Sequence, residues 1–322
     1  MRYRLRNIKW GGIVLICCIG EISAVVAQSL TVDFLFNPGL NIGAEYLAPS
    51  TIKDSITFQL SKFNMRYSQP LRTKVGVDFK KLDFKKMDAK ANQLFLEYQF
   101  NAIQPQGTQP NNFKTIVKGS IGLMAISASL RKGIWMYSGA LYFSENNTSF
   151  TQNFTPNFKG YLANVKTKNF KTFYFYGGGL LIHQGQLLPF PLLGVKTKLA
   201  KKLRVEVVLP ITIKLNYRVN KKLSFDAVAN YSGINTVSRA GSAFKGTNQS
   251  LNLAQVKTYV AANGKMNTHY RVRLELGISS FTQLQLWRNK ETQSLRSAPF
   301  VGVSIHYNFG KSIFGNFMNK DA

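Results

Sequence analysis

The stretch Lys202-Leu203-Arg204-Val205-Glu206-Val207-Val208-Leu209 decides the fold: Leu203, Val205, Val207 and Leu209 fall on one face, and Lys202, Arg204, Glu206 and Val208 on the other. The pattern continues past Pro210. Ile211, Ile213, Leu215, Tyr217 and Val219 alternate with Thr212, Lys214, Asn216 and Arg218, and after Asn220-Lys221-Lys222 the residues Leu223, Phe225, Ala227, Ala229 and Tyr231 alternate with Ser224, Asp226, Val228 and Asn230. A helical period of 3.6 cannot keep polar side chains on every second position for so long, so these are strands. Pro210 marks either a kink or a tight turn.

Working outward, Tyr270 to Leu286 is the longest alternating run, with Tyr270, Val272, Leu274, Leu276 and Ile278 opposite Arg271, Arg273 and Glu275. Such a strand outruns a hydrocarbon layer even when tilted and is expected to project above it. The last run sets Val301, Val303, Ile305, Tyr307 and Phe309 against Gly302, Ser304, His306 and Asn308. The N-terminal half is less regular. Ile56, Phe58 and Leu60 alternate with polar residues, and then the apolar phase slips by one to Phe63, Met65 and Tyr67, which reads as a β-bulge. Phe113 to Leu130 and Gly133 to Ser144 are apolar on both faces, as strands packed against an internal plug or loop would be.

Connections alternate in length. Arg131-Lys132-Gly133, Lys168-Asn169-Phe170, Ala200-Lys201-Lys202, Asn220-Lys221-Lys222 and Asn263-Gly264-Lys265 are short basic turns, whereas Gln104 to Asn112, Glu145 to Asn157, Gly233 to Ser250 and Arg288 to Ser297 are longer polar loops. In outer-membrane barrels the short turns face the periplasm and the long loops face outside. The expected fold is therefore all-β, a transmembrane antiparallel up-and-down β-barrel of about 12 to 16 strands, with about 14 as the central value. An exported soluble β-sandwich also has alternating strands.

The N-terminus supplies the address. Arg2, Arg4, Arg6 and Lys9 precede the apolar run Trp10 to Gly20, and Ala24-Val25-Val26-Ala27 follows, giving the three parts of a cleaved secretory signal over residues 1–27. The apolar run is too short for a spanning helix, and Glu21 interrupts its extension. Both cysteines, Cys17 and Cys18, lie inside the signal, and neither has the small preceding residue of a lipoprotein site. The barrel is then expected over residues 28–309, with a tail over 310–322 hanging in the periplasm. Formal charge is +28; removing four basic residues and Glu21 leaves +25 on the mature chain. Export turns that charge away from nucleic acid and toward the phosphates of lipopolysaccharide or anionic solutes.

The block Pro191-Leu192-Leu193-Gly194, Leu203 to Pro210 and Tyr217-Arg218-Val219-Asn220 resembles later strands of uncharacterised outer-membrane β-barrel families of Gram-negative bacteria, porin-like domains of unknown function. Phe300 to Phe309 is similar to the terminal strand read by the barrel-assembly machinery, except that thirteen residues, Gly310 to Ala322, follow the final aromatic. The resemblance implies the fold, an outer-membrane location and contact with outer-membrane lipid and lipopolysaccharide. It implies no activity.

Alternation also assigns an interior. Lys196, Lys198, Arg204, Lys214, Arg218, Lys257, Arg271 and Arg273, with Glu206, Asp226 and Glu275, are the lumen-facing candidates, and their positive surplus points to passive passage of small anionic solutes. The alternative is a closed structural or interaction barrel in which these charges pair. His183, His269 and His306 are too scattered for a metal site, so no metal or cofactor is expected. Ser304 and His306 share a strand face, the only hint of a lipid hydrolase, and one that plain alternation produces anyway; no catalytic residue is assigned. Gly177-Gly178-Gly179 lacks the lysine and helix of a phosphate loop, and the preceding Phe173 to Tyr176 reads as an interfacial aromatic girdle. Oligomeric state is not encoded in these patterns.

Overall fold

The computed structural model describes residues 38–52, 56–78, 88–107, 115–129, 133–145, 157–169, 171–183, 186–209, 212–238, 249–285 and 292–309. The proposed signal peptide (1–27) and the tail (310–322) lie outside the described residues. Fifteen strands are described: β1 (Gly39–Ile52), β2 (Ile56–Asp78), β3 (Asp88–Gly107), β4 (Ile116–Ser129), β5 (Gly133–Glu145), β6 (Asn157–Asn169), β7 (Thr172–His183), β8 (Gln186–Ala200), β9 (Leu203–Leu209), β10 (Thr212–Arg218), β11 (Leu223–Ser238), β12 (Gln249–Lys265), β13 (Tyr270–Gln285), β14 (Thr292–Leu295) and β15 (Ala298–Asn308).

From β1 to β14 consecutive strands pair antiparallel, and β15 pairs with β13 and with β1, the latter from Gly39↔Asn308 to Leu47↔Phe300, which closes the sheet. β14 and β15 pair with consecutive parts of β13, so together they make one stave. The barrel thus has 14 staves, an even number that brings both ends of the closed sheet to one rim. Closure pairs edges that would otherwise be open to other chains. Val208 lies opposite Thr212, so the chain reverses direction between β9 and β10.

The end that carries Gly39 and Asn308 is called the near end, and the opposite one the far end. Following the strands, all five short basic turns read from the sequence fall at the near end, and all four longer loops at the far end. The near end also holds the nine-residue connection 79–87, and the far end three short ones, at 53–55, 184–185 and 210–211. Several strands run on into the segments read as loops: β11 extends to Ser238, β3 to Gly107, and β14 lies within Arg288 to Ser297. The longest strand described is β2, with 23 residues, rather than the run beginning at Tyr270.

The outer surface carries Ile42, Phe63, Met65, Leu123, Leu141, Leu162, Leu193, Ile213, Leu274, Leu276, Val301 and Ile305, all at least one-third exposed. In water a contiguous apolar face of this extent would drive association. On the outside of a barrel, it is the kind of surface that outer-membrane barrels present to lipid. At the near end Tyr98, Tyr67, Phe309, Tyr307 and Tyr270 form an aromatic row with centroids 4.8 to 6.1 Å apart. Such girdles sit where apolar ring bodies meet lipid and hydroxyls meet water.

Two sequence expectations need correction. The irregularity opposite Leu60 and Phe58 lies in β1, between Leu47 and Ser50, while β2 itself runs in unbroken register with β3 from Phe58↔Gly107 to Pro70↔Phe95 and shifts only at Pro70/Arg72. What changes is the environment of the two faces. Phe58 and Leu60 are apolar residues pointing inward into the far end's fill, and Lys62, Asn64 and Arg66 continue on that inward face while Phe63 and Met65 point out. The second concerns β4 and β5. Among the described residues, Met124, Ile126 and Met136 on their inner faces pack with Phe95, Ala163, Val165, Phe173, Phe175 and Phe190, side chains of other staves rather than of a separate plug.

Candidate functional site: a cationic interior chamber

Because side chains alternate and partners across a ladder share a face, the pairing carries one inward parity around the whole barrel. All eleven charged residues singled out in the sequence occupy inward positions. Lys196 lies opposite Glu206, Lys198 opposite Arg204, Glu206 opposite Lys214, and Arg273 opposite both Asn263 and Ser304. Eight of them, Lys196, Arg204, Glu206, Lys214, Arg218, Asp226, Arg271 and Arg273, line a cavity of about 660 Å³ toward the near end. Lys198, Lys257 and Glu275 sit outside its lining.

One network knits the chamber wall. Asp226, 5 % exposed, accepts from Asn216 Nδ2 at 2.5 Å, Asn263 Nδ2 at 3.0 Å and Arg273 Nη1 at 2.5 Å. The same guanidinium donates to Asn263 Oδ1 at 2.7 Å and, through Nε, to Glu275 at 2.5 Å, and lies 5.8 Å from the Tyr259 ring. A buried carboxylate with three donors has its lone pairs satisfied, which removes most of the cost of taking the charge out of water. This ties β10, β11, β12 and β13 together. On the neighbouring wall Glu206 takes Lys214 at 2.9 Å and Lys196 at 3.8 Å.

Several inward charges escaped the sequence reading. Lys62 and Arg66 of β2 line the chamber, and Arg66 bonds Glu97 of β3. Their signal was present in the alternation of Lys62-Asn64-Arg66 with Phe63-Met65-Tyr67. Glu45 of β1, which pairs with Lys257, stands alone among Ala44, Tyr46 and Leu47 and offered no such pattern. Lys118 of β4 and Lys159 of β6 are also inward, and Lys62 and Lys159 lie close enough to Lys118 to repel its ammonium. Among the described residues, eleven lysines and arginines line the chamber against the carboxylates of Glu206 and Asp226.

The chamber has an apolar ceiling and an apolar side. At the far end Leu47, Phe58, Leu60, Ile103, Ile116, Ile234, Leu253, Leu284, Leu295, Ala298 and Phe300 form one cluster, none more than 6 % exposed. The Lys257–Glu45 pair sits beneath it, with the ammonium 5.0 Å from the Phe300 ring centre. Beside the chamber, Phe175 and Phe190 are seated against glycines: a Cβ on Gly194 would fall 1.9 Å from the Phe175 ring, and one on Gly179 1.9 Å from that of Phe190. The run Phe173 to Tyr176 therefore divides. Tyr174 and Tyr176 face outward, as a girdle requires, whereas Phe173 and Phe175 are interior packing. Ser304 and His306 both line the chamber from β15, two residues apart on its inward face.

No curated protein matches the chain. Among solved structures, the translocator domain of the autotransporter NalP from Neisseria meningitidis is similar at 8 % identity over 94 % of this chain and 98 % of that one, with a TM-score of 0.30. The transport unit of the autotransporter AIDA-I from Escherichia coli is similar at 8 % identity, 90 % and 98 % coverage and a TM-score of 0.31. The P. putida toluene transporter TodX gives 9 % identity, 90 % and 95 % coverage and a TM-score of 0.26. The closed ladder of this chain establishes the barrel without them. A family model matches residues 24–316, and the chain belongs to that family, a domain of unknown function (DUF6268).

Proposed function

We propose that this chain is an exported outer-membrane barrel that admits small anionic solutes to a periplasm-facing chamber and passes them when its outer ceiling opens. The observation that carries the reading is the charge of the chamber lining, eleven cations against two carboxylates. Fixed charges of one sign in a narrow, low-dielectric space favour entry of the opposite ion. The near end faces the periplasm because it holds both ends of the sheet and most of the short turns. The signal peptide directs export, outer-membrane lipid covers the apolar band, lipopolysaccharide meets the far end, and the barrel-assembly machinery reads the strand that ends at Phe309. No chemical step, metal or cofactor enters this reading.

Planar-bilayer recording under a potassium chloride gradient tests it. Openings should reverse toward the chloride potential, and Arg204→Glu with Arg218→Glu should move the reversal toward potassium. Cation preference in the wild type, or a barrel that never conducts, overturns the proposal. The second reading, a closed structural or interaction barrel, is favoured by one observation: the far-end cluster fills the interior with side chains of the wall itself. Permanent silence in the bilayer would select it.

A further inference from the structure

Residues directly opposite across each ladder share a face, so the inner wall falls into rows. At the chamber mouth one row crosses six strands: Lys265↔Arg271, Arg271↔His306, His306↔Asn41, Asn41↔Arg66 and Arg66↔Gln99. Two residues nearer the far end the next row runs Asn263↔Arg273, Arg273↔Ser304, Ser304↔Gly43, Gly43↔Asn64 and Asn64↔Asn101. Eleven of these twelve residues line the chamber. The twelfth, Gly43, lies between Asn64 and Ser304, where a Cβ would fall 2.9 Å from the Asn64 amide nitrogen.

The two rows form a belt of four cations, five amides, a serine, a histidine and a glycine, with neither a carboxylate nor an apolar side chain. Carboxylates lie in the adjoining rows. Asp226 shares the row behind with Glu275 and Glu45, and from there Asp226 and Glu275 hold Arg273, while Glu97 holds Arg66. Lys265 and Arg271 instead stand directly opposite one another. Like charges so placed repel, and an anion between them removes the repulsion.

Charge alone would serve a halide, and it leaves the amides unexplained. An amide carries an acceptor and two donors, and a hydroxyl a donor and two acceptor lone pairs, so amides answer hydroxyl groups on both counts. Guanidinium matches an oxyanion in a bidentate fork. No Phe, Tyr or Trp is among the residues lining the chamber, so an aromatic ligand finds no ring to stack on. The chamber's volume of about 660 Å³ falls in the range of about 300–1,000 Å³ usual for small-molecule sites.

We propose that this belt binds a sugar-sized polyol carrying one oxyanion, a sugar acid or a sugar phosphate. Arg271 and Lys265 take the oxyanion, and Asn41 and Asn64, two and three strands along the same wall from Arg271, take hydroxyls. At about 4.8 Å per strand that is about 10–14 Å of wall, which the arginine side chain and a six-carbon chain bridge together. The ligand class deepens the anion reading of the same chamber and rests on it.

Equilibrium dialysis of the full barrel in lipid nanodiscs against radiolabelled glucose 6-phosphate and, separately, glucuronate tests it without requiring the barrel to conduct. The expected result is saturable binding of at least one of them, with glucose and inorganic phosphate each weaker by about tenfold or more. The tighter of the two labelled compounds identifies the oxyanion as phosphate or carboxylate. Arg271→Gln should weaken the sugar anion and inorganic phosphate alike, by about tenfold, whereas Asn41→Ala with Asn64→Ala should weaken the sugar anion alone. Both variants should keep the wild-type heat-modifiable gel mobility. Inorganic phosphate binding as tightly as the sugar anions overturns the ligand class. Anion-selective conduction without saturable binding overturns the site and leaves anion passage standing; saturable binding in a barrel that stays silent in bilayers supports the site and removes the passage.

Discussion

Phe58 and Phe63 lie five residues apart on β2, in one unbroken register with β3, and face opposite sides of the barrel wall. Phe58 is 1 % exposed inside the far-end cluster, and Phe63 is 41 % exposed on the outer band. Between them Lys62 begins the charged inner face that lines the chamber. A single strand therefore runs from an apolar ceiling to a cationic chamber on one side, while its other side presents Phe63 and Met65 on the outer band. Under the proposed function, an interior of this kind, apolar at one end and charged at the other, divides ion selection from closure: the chamber selects the ion and the ceiling blocks it.

The comparison breaks if the two phenylalanines respond alike. Phe58→Ala should cost about 3–5 kcal/mol, because the ceiling is packed from several staves and collapses incompletely. Phe63→Ala should cost far less, since lipid fills the space that the ring leaves. Urea-unfolding midpoints in lipid vesicles report both. Asp226→Ala is expected to cost about 1–3 kcal/mol, because it leaves the Asn216 and Asn263 amides without their acceptor while Arg273 keeps Glu275. A small effect there would show that the chamber network is dispensable.

Smaller effects sharpen the picture. Gly194→Ala should cost about 1–3 kcal/mol, since the new methyl meets the Phe175 ring and the Val207 carbonyl and both must move. Heat-modifiable gel mobility followed against temperature would register it. Lys166→Ala on the outer face removes an ammonium 5.4 Å from the Tyr176 ring and should cost about 0.5–1 kcal/mol. A larger loss would place Lys166 in a network beyond that ring.

The C-terminal staves were legible from sequence because their two faces differ all along: apolar side chains outside, polar side chains and ion pairs inside. Arg204, Glu206, Lys214 and Arg218 could be assigned to the interior residue by residue. The N-terminal staves obscured the same rule. Where the interior itself is apolar, as at Met124 and Met136, both faces read alike and period two fades. Lys118 and Lys159 are inward cations set among apolar or small neighbours, without the flanking alternation that would reveal their side. The phase change in β2 looked like an inserted residue because a bulge and a change of medium leave the same mark on a hydropathy pattern; only the register separates them. The shortness of β9 and β10 was beyond sequence reading for a related reason. The alternation of Leu203 to Val219 passes through Pro210 without showing that two short strands, rather than one long one, stand there.

The most direct measurement compares single-channel opening of the wild type with that of Phe58→Ala/Phe300→Ala under the same salt gradient. The account predicts more frequent openings in the double variant at an unchanged, anion-directed reversal potential, because the ceiling is loosened and the chamber is untouched. Unchanged opening frequency in a folded variant, or a reversal potential that loses its anion preference, would contradict the division of selection and closure between the two ends of the barrel.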